Sequence, residues 1–222
     1  MASLADRTLV LASGSPRRRE IVKALDMRIR ITVSDTVEGP PEPGEDTADY
    51  ARRLSLEKAR ASRIKDEGCL ILGADTIVVH EGEILGKPAD EAQAVHMLER
   101  LRGRTHSVIT GVTLLDVDTG RHRSATRASD VVMRSYGDGE IRAYVESGEP
   151  LDKAGAYAAQ DDRFSPASEI RGCYLNVVGL PLCDVIDIMA EMGVKARLKS
   201  GWTPPDRCRE CPLRQLPEVA VP

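Results

Sequence analysis

Aromatic side chains are scarce, with one Trp, one Phe and five Tyr in 222 residues. A surface that stacks successive bases needs several of them, so an extended single-strand nucleic-acid platform is excluded. Excess positive charge is lacking as well. The formal net charge is -4 and the pI about 5.7, which argues against a nonspecific DNA or RNA binder. No run of about 18 apolar residues occurs and no basic-then-apolar leader is recognisable, so neither a membrane span nor export is expected and the expected location is cytoplasmic. The chain also lacks the Gly-x-x-x-x-Gly-Lys-Ser/Thr loop of common ATPases and kinases and the Gly-x-Ser-x-Gly elbow of many hydrolases. The four histidines, His80, His96, His106 and His122, show no paired metal-ligand spacing, and most are expected on the surface.

What is present suits a folded globular protein. Hydrophobic residues make up 41% and charged residues 30%, enough for one substantial core or for one domain with two lobes about a cleft. Hydrophobic periodicity and turn chemistry give the elements. Residues 9–12 and 29–33 read as strands around a helix capped by Ser15, and 38–45 as a Pro/Gly loop. Asp46 or Thr47 caps a helix to about residue 65, with Ala51, Leu54 and Ala61 inward. Residues 70–79 form a strand that turns back through Ile84 and Leu85, and 90–102 a helix. Residues 106–117 and 123–133 make a long hairpin about Asp118-Thr119-Gly120. Asp138 caps a short helix, 151–160 is loop or strand, 174–178 a strand, and a last helix runs to about residue 192. This mixture implies an α/β fold with a mixed, twisted sheet flanked by helices. Residues 1–198 form the expected domain, and the Pro-rich residues 199–222 an appendage.

Two charge anomalies point to chemistry. Arg17, Arg18 and Arg19 occupy the first turn of a helix that starts at Ser15-Pro16, where the dipole disfavours cations by a few tenths to about 1 kcal/mol and favours an anion. Either a phosphate site or a solvated helix start accounts for them. Asp75 interrupts the apolar run Leu70-Ile-Leu-Gly-Ala-Asp-Thr-Ile-Val-Val79, and an unpaired carboxylate buried there would cost several kcal/mol. A metal, a lysine, a polar cleft or backbone amides must compensate it, and Gly73 beside it permits close backbone approach. Lys58, Lys87 and Lys153, with Arg17 and Arg18, would suit a polyphosphate if the fold brings them together.

Cys69, Cys173 and Cys183 lie in apolar surroundings, as free thiols do. Cys208-Arg-Glu-Cys211 is a lone C-x-x-C in the tail, and a closed zinc site there would need a second pair of ligands or a second subunit.

Together these residues resemble the Maf family of nucleoside triphosphate pyrophosphatases over roughly residues 9–192. The resemblance rests on six blocks in order: Leu11-Ala-Ser-Gly-Ser-Pro-Arg-Arg18, Gly73-Ala-Asp-Thr76, Gly86-Lys-Pro88, Leu101 through Gly111, Asp152 through Tyr157, and Val178-Gly-Leu-Pro181. It implies a Maf/ITPase-like fold with two lobes around a cleft. It also implies hydrolysis between the α and β phosphates, giving a monophosphate and pyrophosphate with Mg²⁺ or Mn²⁺. By the same resemblance Asp75 activates water, Glu38 joins Asp75 at the metal, and Ser13, Arg18, Lys58, Lys87 and Lys153 hold phosphate. Arg17, Thr76 and Gln160 match the branch acting on dTTP and UTP rather than that acting on 7-methyl-GTP. The chain departs from the family at Ala158-Ala-Gln-Asp-Asp162, where Gly-Ile-Gln-Gly is common. The implied partner is a nucleoside triphosphate, with neither nucleic acid nor membrane, and a homodimer is left open. The family's association with septum formation leaves a second class open, a nonenzymatic nucleotide sensor.

Overall fold

The computed structural model describes residues 7–33, 38–64, 66–209 and 211. One seven-stranded sheet organises them, in the order β2-β1-β3-β5-β6-β7, with β4 also paired to β3. The strands are β1 (Thr8–Ala12), β2 (Arg28–Thr32), β3 (Cys69–His80), β4 (Glu83–Leu85), β5 (Thr105–Asp116), β6 (His122–Met133) and β7 (Ala167–Arg171). β2, β1 and β3 run parallel, and every other pairing is antiparallel. The expected mixed α/β sheet is therefore what forms.

The helices are α1 (Pro16–Val22), α2 (Thr47–Arg60), α3 (Glu91–Leu101), α4 (Asp138–Glu146), α5 (Tyr174–Val178), α6 (Leu182–Glu191) and α7 (Asp206–Arg209). Ser15 caps α1 by accepting the Arg18 N–H, and Asp46 caps α2 by accepting those of Ala48 and Asp49, the use of short polar side chains that satisfies orphan donors. Among the described residues α2 is the one helix packed on its face of the sheet. There β3 contributes Ile71 beside Ala59, and Ile77 beside Tyr50, Ala51 and Leu54. On the opposite face the core splits in two. Leu70, Leu72 and Ala74 pack with α1 and α6, whereas Val78 packs with α3 and α4.

Gly73 and Gly111 explain how α2 lies so close. A Cβ on Gly73 would stand 2.1 Å from the Ser55 carbonyl oxygen, and one on Gly111 2.2 Å from that of Ala51, so the close approach that Gly73 permits is made by a helix of the protein itself.

Five expectations are corrected. Residues 174–178 form helix α5 rather than a strand, because Gly179, at φ +115°, closes the turn with its N–H on the Leu175 and Asn176 carbonyls. α2 stops at Arg60, which leaves Ala61 exposed and puts Ala59 inward instead. Gly137, not Asp138, is the N-cap of α4, with the Glu140 carboxylate accepting the Gly137 N–H at 2.8 Å. His80 and His106 are both buried, at 3% exposure, since each falls on the inward phase of its strand. The segment expected as loop or strand at 151–160 instead begins within two 3₁₀ turns, Glu149–Asp152 and Ala154–Ala156. The segment after Leu198 is partly docked, with Trp202 and Cys208 packed on the first core cluster. Residues 212–222 of the expected appendage lie outside the described residues. No helix among the described residues is long and apolar enough to cross a membrane.

Candidate active site

A break along one edge of β3 creates the site. β5 pairs with β3 from Leu70 to Val79 on one side. On the other side β1 stops at the Ala12 and Gly73 pair, and β4 begins only at Val78 and Leu85. Residues 74–77 of β3 therefore have no strand partner on that edge. The chain leaves β1 through Ser13 and α1, and leaves β4 through Gly86-Lys87-Pro88, so two loops meet the break from opposite ends. Asp75 and Thr76 point to opposite faces of the strand, yet both border it.

On the α2 face Asp75 is 5% exposed and its Oδ1 accepts from the Lys58 ammonium. Lys58 also reaches Glu38 Oε1 at 2.6 Å. The burial penalty inferred for Asp75 is thus met by a lysine, placed one helical turn after Ser55 and next to Ala59, where α2 rests on the sheet.

On the other face Arg18 fills the break. Its Nε donates to the Gly179 carbonyl at 2.8 Å, Nη1 to the Ala74 carbonyl at 2.8 Å and to Ser13 Oγ at 3.4 Å, and Nη2 to Thr76 Oγ1 at 2.8 Å. The Ala74 carbonyl lies in the strand segment that lacks a neighbour, so the guanidinium replaces part of a missing ladder. Burial lowers the Arg18 pKa and Arg17 adds to that effect, while Asp75 and Glu38 oppose it. Thr76 Oγ1 also pairs with Thr110 Oγ1 at 2.9 Å, and Thr110 donates to the Asn176 carbonyl at 3.0 Å. Asn176 in turn donates to the Val108 carbonyl and Ser129 Oγ, both at 2.9 Å.

The 3₁₀ turns form the far rim. Lys153, 7% exposed, donates to Asp152 Oδ1 at 2.6 Å and Glu149 Oε2 at 3.2 Å, and also to the Glu149 carbonyl. Burial pushes the Asp152 carboxyl up, but its bond to Lys153 and the charges of Lys153, Arg17 and Lys87 bring it below the usual range. Arg17 and exposed Lys87 thus lie near Asp152. The Gly155 N–H donates to the Gly86 carbonyl at 3.1 Å, which ties this rim to the Lys87 loop. Tyr157 Oη meets His106 Nε2 at 2.6 Å, and Tyr144 Oη accepts the Ala158 N–H at 3.2 Å. Gln160 follows, half-buried. Ser13, Arg18, Thr76, Asp75, Lys58 and Glu38 therefore gather at the strand break, whereas Arg17, Lys87 and Lys153 gather around Asp152.

The model of the Maf-like protein family matches residues 8–192. The chain belongs to that family. A "dTTP/UTP pyrophosphatase" of Dehalococcoides mccartyi is 43% identical over 203 residues, which cover 91% of this chain and 90% of that protein. Another of that name, from Geobacter sulfurreducens, is 46% identical over 83% of this chain and 96% of its own. A solved nucleoside-triphosphatase / dITP/XTP pyrophosphatase of Mycobacterium abscessus overlays with a TM-score of 0.35 at 14% identity, over 58% of this chain and 75% of that one, a likeness too slight to bear on the fold.

The residues that hold the Maf-like site together were partly hidden in the sequence. Thr110 interrupts Val108-Ile109-Thr110-Gly111-Val112 much as Asp75 interrupts its own strand, and that signal could have marked it. Asn176 lay within a segment read as a strand. Gly179 acts through its carbonyl, which no side-chain motif records.

Proposed function

We propose that this Maf-like protein hydrolyses nucleoside triphosphates to the monophosphate and pyrophosphate, with dTTP and UTP preferred. The observation that carries the reading is Asp75, buried in the break of the β3 edge and sharing Lys58 with Glu38, with the cations Arg17, Lys87 and Lys153 gathered around Asp152 on the 3₁₀ rim. A site with one placed carboxylate and surrounding positive charge suits phosphoryl transfer, in which positioning and charge neutralisation do most of the catalysis. Asp75 accepts a proton from water as the water oxygen attacks the α phosphorus. The bridging bond to the β phosphate breaks and pyrophosphate leaves with the bond's electrons. Lys58 fixes the orientation of the Asp75 carboxylate, and Ser13, Arg18, Lys87 and Lys153 form the phosphate side of the pocket. Arg17, Thr76 and Gln160 take the base and sugar.

The donors fit a divalent ion. Glu38 and Asp75 already converge on one cation, the Lys58 ammonium, and one or two carboxylates completed by substrate phosphates are how Mg²⁺ and similar hard ions are commonly held. Bound by Glu38 and Asp75, such an ion supplies neutralisation of charge on the phosphate oxygens. Pyrophosphate release from a panel of the common and modified triphosphates tests the reading. The expected order places dTTP and UTP ahead of ATP and GTP. A purine or 7-methyl-GTP in the lead overturns the preference, and binding with no turnover of any triphosphate overturns the enzyme in favour of a sensor.

A further inference from the structure

Four of the five cysteines gather where the C-terminal segment returns to the sheet domain. α7 packs on α5, with the Arg207 guanidinium 5.4 Å above the Tyr174 ring, and Cys208 lies against the apolar cluster that contains Cys173. The Leu175 N–H faces the sulfurs of both Cys208 and Cys173, and the Asn176 N–H faces that of Cys173. Cys211 donates its N–H to the Cys208 carbonyl at 3.3 Å, so the two tail thiols share one turn. Cys183, the second residue of α6, completes the group around Cys208. Cys69 stands apart at the start of β3, in the small cluster on the α2 face. None of the five is in a disulfide.

We propose that Cys173, Cys183, Cys208 and Cys211 form a zinc site that fastens the C-terminal segment to the α5–α6 corner. The tail C-x-x-C lacks a second pair by itself, and the fold brings one to it.

 Cys173 and Cys183, ten residues apart in the chain, supply that pair from the two ends of the corner. Four sulfurs in tetrahedral array select zinc, and they are poor ligands for the oxygen-seeking ion of the Asp75 site. Backbone N–H groups aimed at sulfur are the outer-shell support that thiolate–metal sites use. Four thiolates drawn together repel one another, so they share this space only around a cation. Zinc meets that need, and each bound thiol releases its proton to solvent. As the side chains stand, no three His, Cys, Asp or Glu among the described residues are close enough to hold one ion. Binding therefore draws the sulfurs inward by thiol rotation and a shift of the Cys208–Cys211 turn.

Elemental analysis of the full chain, made without a histidine tag and exposed to zinc before gel filtration, tests the site. The native protein and Cys69→Ser are expected to carry one zinc per chain, and Cys208→Ser combined with Cys211→Ser to retain about tenfold less or lower. That double substitution lies in the tail, where Cys208 packs at the margin of the first core cluster. Cobalt in place of zinc should give thiolate charge-transfer absorption that weakens in Cys183→Ser. A native chain that takes up no zinc, a disulfide between Cys208 and Cys211 in its place, or full zinc retention by the double variant overturns the proposal.

Discussion

Two cations border the candidate cleft, half-buried Arg18 and buried Lys153, and they are held in different ways. Arg18 is fixed by the carbonyls of Ala74 and Gly179 and the hydroxyls of Ser13 and Thr76, groups that belong to the strand break and the α5 turn. Lys153 is held by the carboxylates of Asp152 and Glu149, whose side chains are 75% and 60% exposed, and by the Glu149 carbonyl. The first cation shapes the cleft because its partners cannot leave. The second can exchange exposed carboxylates for the anion of a ligand, so the strand half of the site is built in advance and the 3₁₀ half is poised to respond.

The largest expected effect lies in the strand half. Asp75→Asn keeps the shape and removes the proton acceptor, so kcat for pyrophosphate release should fall by roughly 10³-fold while nucleotide binding persists. Near-native turnover would show that the strand break is not the chemical centre. Lys58→Ala tests the same half through stability. It leaves Asp75 buried without its cation, and breaking such a pair costs about 3–5 kcal/mol, to be read from urea unfolding. Adding Asp75→Asn to Lys58→Ala should recover much of the loss, and equal unfolding midpoints for the single and double variants would dissolve the pairing argument.

Acid should loosen the other half first. The segment carrying Lys153 and Gln160 hangs on the sheet through Tyr157 and His106, and burial, with His80 nearby and Asp130 opposing, lowers His106 from 6.5 to about 4. The unfolded chain then binds the proton more readily than the folded one between those values. The contribution of His106 is complete above about pH 6.5 and is lost as pH falls toward 4, an expected loss of about 3 kcal/mol. His106→Gln should flatten this part of the stability profile. An unchanged slope in the variant would assign the acid sensitivity to other groups.

The unequal legibility of the two halves has a physical cause. Asp75 stood out because a carboxylate in an apolar strand needs compensation, and the helix-start arginines because they oppose the dipole. Strand alternation and turn residues likewise carried most of the sheet. Lys58 as the partner of Asp75 could not be read, since the pairing depends on how α2 settles over Gly73 and Gly111. The break itself depends on where β1 and β4 stop along β3, a property of register. Residues 174–178 misled because Tyr, Leu and Val suit a strand, whereas the buried Asn176 side chain and the left-handed Gly179 favour a turn of helix. His80 and His106 were misjudged by residue type, although their positions on the strands' inward phase were available.

The smallest effect decides whether the comparison holds at all. Lys153→Met keeps an apolar stem and removes the ammonium, leaving Asp152 and Glu149 without it. If Lys153 changes partners when phosphate arrives, the substitution removes binding energy gained in ground and transition states alike, and KM should rise about tenfold with kcat little changed. Because the exchange is electrostatic, added salt should raise the native KM more steeply than that of the variant. A fall in kcat with KM unmoved would mean that Lys153 acts only in the transition state. The two cations would then differ in their partners but not in their role, and the rim would be as fixed as the strand.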